Sequence, residues 1–270
     1  MRDMLEPAGL KKLDQGTIFN GGVSSICSGH PVMGIILSAR CDISQRKVDA
    51  VAYSPVIKIE TFVENVVFDK EREFYILDKM DAVNNLLLQH NPELETWVNT
   101  YGVEKVFENE SSDINKKIKD KIESHFKDVG VVRELQYEGL TADNPVSRSV
   151  AKKIRSHVES LARGKVEGVF LIDHISDEIS GESSPYIVNL REIRFVDMRF
   201  LEKVSEGLYS DEDTVYWGSD VYDKGEIFFY TVSRVKSPYI ELLMQRFANQ
   251  FVRVGVDDVD VRYITEKLGV

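Results

Sequence analysis

Residues 31–41 read PVMGIILSARC, an apolar run that ends in a thiol, and the carboxylate of Asp42 follows directly. The run has the length of a buried strand and falls far short of the roughly 20 apolar residues that span a membrane. A polar segment, 42–47 (DISQRK), then leads into residues 48–63, which are rich in β-branched and aromatic side chains. This pattern predicts a hairpin. In its second strand Pro55 predicts a break, bulge or edge, because proline cannot donate to a ladder.

Strand-like segments occur on both sides of a helical middle. Further short strands are predicted at 16–19, 168–175, 184–195 and 226–235. Helical periodicity is present at 71–89, 113–127 and 150–162. Because strands and helices do not alternate as βαβ units, the sequence favours an α+β fold over a doubly wound parallel sheet. We expect an antiparallel sheet or small β-barrel formed by residues 1–63 and 164–270, with a helical insertion over 64–163 and a C-terminal helix.

Single residues add three details to this expectation. Tyr186, Val188 and Leu190 alternate along a strand, which predicts one buried face. Ser237 and Pro238 are predicted to open the C-terminal helix as its N-cap and first residue. Over 71–89, apolar positions close to a 3.6-residue period indicate one helix. These positions are Phe74, Ile76, Leu77, Met80, Val83, Leu86 and Leu87.

The charge balance of the chain is acidic. Its 270 residues include 34 Lys and Arg against 45 Asp and Glu, which gives a formal net charge of −11. This balance argues against nucleic-acid binding by the whole surface. Residues 116–165, however, hold twelve Lys and Arg against seven Asp and Glu. A basic segment within an acidic chain indicates a contact with a polyanion or with an acidic partner surface.

The cellular location is predicted from what the sequence lacks. The first residues have no apolar core of a secretory signal, and no apolar run is long enough to span a bilayer. The chain has two cysteines, Cys27 and Cys41. We therefore expect a cytoplasmic protein with reduced thiols and no membrane association.

Candidate catalytic side chains collect where the first apolar strand meets its polar turn. Side chains at such a junction are often half-exposed and available for binding. A guanidinium next to a thiol favours a reactive thiolate, and an imidazole on a neighbouring strand would supply a base. The structural alternative is that Cys41 is a small buried apolar residue and that Asp42 caps the turn. The candidates are Ser38, Arg40, Cys41, Asp42 and His174.

No metal or cofactor is predicted. The spacing of Cys27, His30 and Cys41 is not a zinc signature, since structural zinc sites usually show two close ligand pairs. The chain also lacks the common glycine-rich nucleotide motifs, the zinc-protease motif and the nucleophile elbow. The sequence therefore leaves open whether the protein is an enzyme.

The basic residues of the helical insertion have two interpretations. On amphipathic helices they are most simply the solvated faces. The functional alternative is a contact with a partner or with phosphate groups. The residues considered for such a contact are Lys116, Lys117, Lys119, Lys152, Lys153 and Arg155.

Two stretches resemble an uncharacterised bacterial family. Residues 36–43 (ILSARCDI) are similar to its apolar strand with a Ser/Thr-x-x-Cys-Asp-Ile ending, and 53–56 (YSPV) to the extended segment that follows. Residues 237–239 (SPY) and 253–255 (RVG) are similar to the two ends of its C-terminal helix. Arg40 stands where the family has a small polar residue. The resemblance implies a bacterial origin and a loose association with regulatory or anti-phage defence systems, and it implies no activity. The family's polar pattern carries over to Ser38, Cys41 and Asp42.

Three functional hypotheses follow. The first is a cytosolic bacterial binding or regulatory protein that acts through protein partners, in a defence or stress system. The second is an RNA-cleaving, toxin-like enzyme on a small barrel, in which an electropositive cleft would stabilise charge on the phosphate. The third is a nucleic-acid-binding protein that uses the basic helical insertion. In the second hypothesis the acting side chains are Ser38, Arg40 and Asp42, with Arg191 or Arg194.

Overall fold

Strands from both ends of the chain form one antiparallel sheet that is nearly closed into a barrel. The computed structural model describes residues 2–8, 12–30, 32–141, 143–177, 181–210, 221 and 227–251. Its strands in chain order are β1 (Leu5–Pro7), β2 (Thr17–Gly22), β3 (Val32–Ile36), β4 (Ala50–Lys58), β5 (Val169–Asp177), β6 (Glu182–Asn189), β7 (Arg194–Asp197), β8 (Leu208–Ser210), β9 (Ile227–Phe229) and β10 (Thr231–Val235). The predicted α+β class, with both chain ends in one sheet, is confirmed.

The order of the strands places the last beside the first. Seven strands follow one another as β1-β10-β2-β3-β4-β6-β5, and each is antiparallel to its neighbours. β10 lies between β1 and β2, so that Leu5 pairs with Val235 and Ile18 with Ser233. β7 pairs with the first half of β4, and β8 and β9 form a separate two-stranded sheet.

Pro55 lies where β4 changes partner. On one side β4 pairs with β3 through residues 53–56, with Gly34 opposite Pro55. On the other side, Tyr53 is the last residue paired with β7 and Val56 the first paired with β6. The missing N–H of proline is therefore not needed by the ladder. The antiparallel pairing of the two predicted strands is confirmed. The first strand ends at Ile36 rather than at Cys41, and the connection contains a short helix, Arg40–Ser44. The predicted irregularity at Pro55 is a change of partner in an unbroken strand.

Gly34 allows two aromatic rings to meet across the middle of the sheet. Phe19 and Tyr53 form an edge-to-face pair with ring centroids 5.2 Å apart. A Cβ atom on Gly34 would lie 2.5 Å from Cζ of Phe19 and 2.7 Å from Cδ2 of Tyr53. Glycine within a strand often marks such a close approach.

The predicted buried face of β6 is confirmed, and the opposite face of this strand is buried as well. Tyr186 and Val188 join the interior cluster of the barrel. Ile187, between them, is equally inaccessible and packs on the other face with Val169 of β5 and with the helices. The reason is that the helical insertion covers this side of the sheet, which a strand pattern alone does not reveal.

The helical insertion begins earlier and the C-terminal helix later than predicted. Helices begin at Ile59, rather than at residue 64, and continue to Ala162. The C-terminal helix begins at Tyr239, with Pro238 as its cap residue and no side-chain cap. The assignment of Ser237 as N-cap was therefore wrong. In chain order the helices are α1 (Arg40–Ser44), α2 (Ile59–Phe62), α3 (Asp69–His90), α4 (Glu95–Tyr101), α5 (Val103–Glu110), α6 (Lys116–Glu134), α7 (Pro145–Ala162), α8 (Met198–Val204) and α9 (Tyr239–Asn249).

Local sequence explains the boundaries of the long helices. A π-helical segment, Val63–Phe68, joins α2 to α3. Asn144 caps α7 by accepting hydrogen bonds from the backbone N–H groups of Val146 and Ser147, and Pro145 is the first helical residue. Asparagine before proline is a strong start signal, which is why α7 begins five residues before the predicted 150–162.

The terminal helix α9 packs into the barrel. Ile240 and Leu243 belong to the same buried cluster as Phe170 and Ile172 of β5 and Val235 of β10. The guanidinium of Arg246 lies 5.5 Å from the ring centroid of Phe170. The predicted helix over the barrel is therefore present, and its apolar side forms part of the barrel core.

Candidate functional site

The Cys41 corner has the predicted half-exposed character, but its side chains are tied to the surrounding backbone and to one another. The hydroxyl of Ser38 accepts a hydrogen bond of 2.9 Å from the N–H of Ala52. Cys41 is exposed on α1, with Sγ 3.5 Å from Oδ1 of Asp42. Arg40 lies 3.5 Å from a carboxylate oxygen of Asp14. Of the predicted candidates, the corner brings together only those that are already neighbours in the sequence, residues 38–42.

The imidazole predicted as a base is elsewhere in the sheet. His174 is on β5, which is separated from β3 by β4 and β6 on the short path round the sheet. Its Nε2 atom lies 2.8 Å from the hydroxyl of Ser183. The neighbouring Asp173 is bonded to Arg2, whose hydrogen bonds and charge lower the pKa of this carboxyl. The structure therefore does not bring His174 to the Cys41 corner.

The residues considered as metal ligands, and the arginines considered for phosphate binding, are not brought together in one site either. The described residues contain no group of three or more His, Cys, Asp or Glu side chains placed to hold a metal. Arg191 donates to the backbone carbonyl of Glu167, and Arg194 donates to the carboxylate of Glu192. The arginines of the RNA-cleaving hypothesis are thus held by protein acceptors rather than grouped around a cleft.

The basic residues lie in two groups at different levels of α3. Lys79 of α3 pairs with Asp128 of α6 at 2.8 Å, which aligns these two positions. Lys116 comes twelve residues before Asp128, which corresponds to about 18 Å along the axis of α6. Lys153 of α7 lies at the level of Tyr75, with Nζ 5.9 Å from the ring centroid. The α6 group extends towards the C-terminal end of α3 and the α7 group towards its N-terminal end. The residues do not form one patch. The α6 group is Lys116, Lys117 and Lys119, and the α7 group is Lys152, Lys153 and Arg155.

A groove lies between α3 and α7 on the surface of the insertion, and we call it the helical groove. It has a volume of about 750 Å³. At its base Nδ1 of His157 lies 3.2 Å from Oε1 of Glu71, and both side chains are largely buried. Its lining residues are Glu71, Phe74, Leu77, Asp78, Asp81, Lys153, Ser156, His157 and Ser160.

The wall of the helical groove that α3 forms is apolar and acidic. Phe74 is 49% exposed and Leu77 is 57% exposed, one helical turn apart. Asp78 and Asp81 stand beside them, and neither carboxylate has an ion-pair partner among the described residues. Lys70 lies over the ring of Phe74 at the other end of the wall, 5.6 Å from its centroid. Two large apolar side chains thus face solvent next to unpaired negative charge.

Sequence reasoning placed Phe74 and Leu77 in the apolar pattern of α3 and so missed the helical groove. At 100° per residue, Ile76, Met80, Val83 and Leu87 lie within one sector, and Phe74 and Leu77 lie well outside it. In the structure Val83 and Leu87 are fully buried. The angular position of each apolar residue, rather than its spacing alone, was the signal in the sequence that could have found this surface.

Comparison of the chain with protein-family models, with curated proteins and with solved structures gave no match. Among the helices in the described parts of the chain, none has both the length and the apolar character needed to cross a membrane.

Proposed function

We propose that the protein binds a partner protein through the helical groove, and that the bound element is an amphipathic helix with basic residues. The observation that carries this proposal is the exposure of Phe74 and Leu77 beside the unpaired carboxylates of Asp78 and Asp81. Exposed apolar side chains grouped in a groove are typical of binding surfaces. The proposal gives the predicted binding protein a specific surface.

The shape of the groove favours a helical partner. α3 and α7 run antiparallel, since Glu71 faces His157 and Tyr75 faces Lys153. A third helix laid between two such helices inserts its apolar side chains into the space between their ridges. Phe74 and Leu77, one turn apart on α3, match the one-turn spacing of apolar residues on such a helix.

The carboxylates on the α3 wall of the groove favour a basic partner. Asp78 and Asp81 attract Lys or Arg side chains, whereas they repel the phosphates of a nucleic acid. Charge complementarity of this kind raises the association rate and selects among partners more than it adds affinity. We therefore expect the apolar contacts to set most of the affinity and the carboxylates to set the choice of partner.

The test uses three synthetic peptides of 18 residues. The first is an amphipathic Leu/Lys helix, the second a Leu/Glu helix with the same pattern, and the third has the Leu/Lys composition in an order without an apolar face. Binding is measured by titration calorimetry and by ¹H–¹⁵N chemical-shift changes. We expect the first peptide to bind at α3 and α7 and the other two to bind at least tenfold more weakly.

Matched variants separate specific binding from attraction to an acidic protein. F74A/L77A should weaken the Leu/Lys peptide at least tenfold, and D78N/D81N at least threefold. D120N/E123Q removes the same two charges from exposed positions of α6 and should leave the affinity unchanged. Equal losses in the two charge variants, full affinity in F74A/L77A, or absence of binding by the Leu/Lys peptide would each contradict the proposal.

A further inference from the structure

The two outer strands of the sheet, β1 and β5, face each other across a seam that backbone pairing does not close. β1 pairs with β10 and β5 with β6, and in the described residues no backbone hydrogen bond joins β1 to β5. At one end Arg2 crosses the seam and donates to the carboxylate of Asp173 and to the carbonyl oxygen of Leu171. Beyond Arg2 the seam widens into a groove of about 610 Å³, which we call the seam groove. It is lined by residues 2–8, by His174 and Ser176, and by residues 230–233.

The directions of the strands determine what can fill the seam groove. The circuit has seven strands, each antiparallel to the next, so its first and last strands run in the same direction. β1 and β5 therefore cannot form the antiparallel pair that would close the barrel. One additional segment that runs opposite to both would make eight strands, and the circuit would then close with antiparallel pairs throughout.

The edge of β1 offers hydrogen-bonding groups to such a segment. The N–H of Lys236 in the β10 segment donates to the carbonyl oxygen of Met4. Because the groups of an antiparallel strand alternate in direction, the backbone of Leu5 and the carbonyl of Pro7 then face the seam. Within the described ranges this edge of β1 is unpaired, and an open strand edge is a template for an added strand. Pro7 supplies no N–H, so Leu5, the first residue of β1, is the N–H donor that this strand offers to the seam.

We infer that the seam groove binds an extended segment of a partner protein, which runs antiparallel to both β1 and β5 and completes the barrel as its eighth strand. Beyond the Arg2 bridge, residues 4–8 span about 13 Å, which corresponds to about four residues of the segment. Alternate side chains of the segment point towards the interior cluster that contains Ile175 and Val235, so they are apolar, and the others are polar. This site is separate from the helical groove and does not depend on it.

The first test selects peptides from a phage-displayed library of random decapeptides on the full-length protein. We expect enrichment of sequences with alternating apolar and polar residues. Ser176→Trp fills the groove from an exposed position and should weaken the selected peptides at least tenfold. Ser112→Trp, at an exposed position before α6, is the matched control and should bind them as the wild type does. Failure to enrich any alternating sequence, or equal binding by Ser176→Trp, would overturn the inference.

The second test asks whether the backbone of the peptide makes the contacts. N-methylation of every second residue of a selected peptide removes the N–H groups that face one of the two neighbouring strands. Methylation of the odd residues and methylation of the even residues should each lower the affinity at least tenfold. Binding should also slow hydrogen exchange at the amide of Leu5. Full affinity in both methylated peptides, or no protection at Leu5, would show that side chains alone are recognised and would contradict strand addition.

The third test measures direction. In an antiparallel arrangement the N-terminus of the peptide lies near Ala8 and its C-terminus near Arg2. A nitroxide at the peptide N-terminus should broaden the amide resonance of Ala8, and one at the C-terminus should broaden that of Asp3. The opposite pattern would mean a parallel segment and would refute the argument from strand direction.

Discussion

Glu192 is a largely buried carboxylate that joins two parts of the barrel. Its side chain is 11% exposed and accepts hydrogen bonds from the Ser24 hydroxyl, the Ser25 N–H and the guanidinium of Arg194. Burial alone would raise the pKa of Glu192, but the bonds from Ser25, Arg194 and Ser24 and the charge of Arg194 outweigh it and lower the pKa. The carboxylate therefore fixes the segment after β2 to the loop between β6 and β7.

We predict that Glu192→Gln lowers the free energy of unfolding at neutral pH by about 1–3 kcal/mol, because a hydrogen-bonded charge is lost. A pKa lowered by folding stabilises the protein above the pKa of the unfolded state, and this stabilisation is lost as the pH falls through the pKa of the folded state. The difference between wild type and variant should thus be constant from pH 7 to about pH 5 and shrink below it. Urea unfolding at several pH values measures it.

Glu123→Gln is the matched control for this prediction. Glu123 is exposed on α6, and its replacement should change the free energy of unfolding by no more than about 0.5 kcal/mol. A Glu192→Gln effect that stays constant down to pH 3 would show that the loss comes from shape rather than from ionisation.

Helix α9 contains two adjacent leucines in opposite environments. Leu243 is fully buried in the barrel cluster, whereas Leu242 is 37% exposed. We predict that Leu243→Ala lowers the free energy of unfolding by about 2–5 kcal/mol, since it leaves a cavity in the barrel core. Leu242→Ala should change it by no more than about 0.5 kcal/mol. Equal effects in thermal or urea unfolding would mean that α9 does not contribute its predicted side to the core.

Some features of the strands and helices could be predicted from the sequence, and others could not. Runs of β-branched and aromatic residues at both ends were sufficient to predict a shared antiparallel sheet. The strand order was not predictable, because the pairing of Leu5 with Val235 depends on contacts between residues far apart in the chain. The start of α9 was misjudged because Ser237 and Pro238 fit the preferences for a helix start, whereas the chain enters the helix one residue later.

The candidate surfaces were less predictable than the fold. Phe74 and Leu77 are apolar residues of the kind found in cores. Their angular position on α3 separates them from the buried sector, and the packing of α3 against α6 and α7 leaves them facing outwards. The seam groove depends on the number and direction of strands, which no local pattern encodes. His174 was correctly placed on a strand, but the residue that faces it, Ser183, follows from the pairing of β5 with β6.

The helical insertion and the barrel pack against each other through a buried apolar cluster. Ile57 and Ile187 of the sheet pack with Val150, Ile154 and other residues of the helices in one buried cluster. Two bodies joined by such a cluster should unfold together rather than in turn.

We predict that Ile187→Ala lowers the stability of both bodies by the same amount, about 2–5 kcal/mol. Native-state hydrogen exchange at low denaturant measures this at the amides of Ile154 in α7 and Ile35 in β3. A loss of protection confined to the helix would show that the insertion unfolds on its own.

The place of β10 between β1 and β2 has a consequence for biosynthesis. β1 finds its partner only after residues 231–235 have been translated. Until then the edges of β1 and β2 that β10 will cover remain open, so this part of the sheet cannot assemble from the N-terminal strands alone.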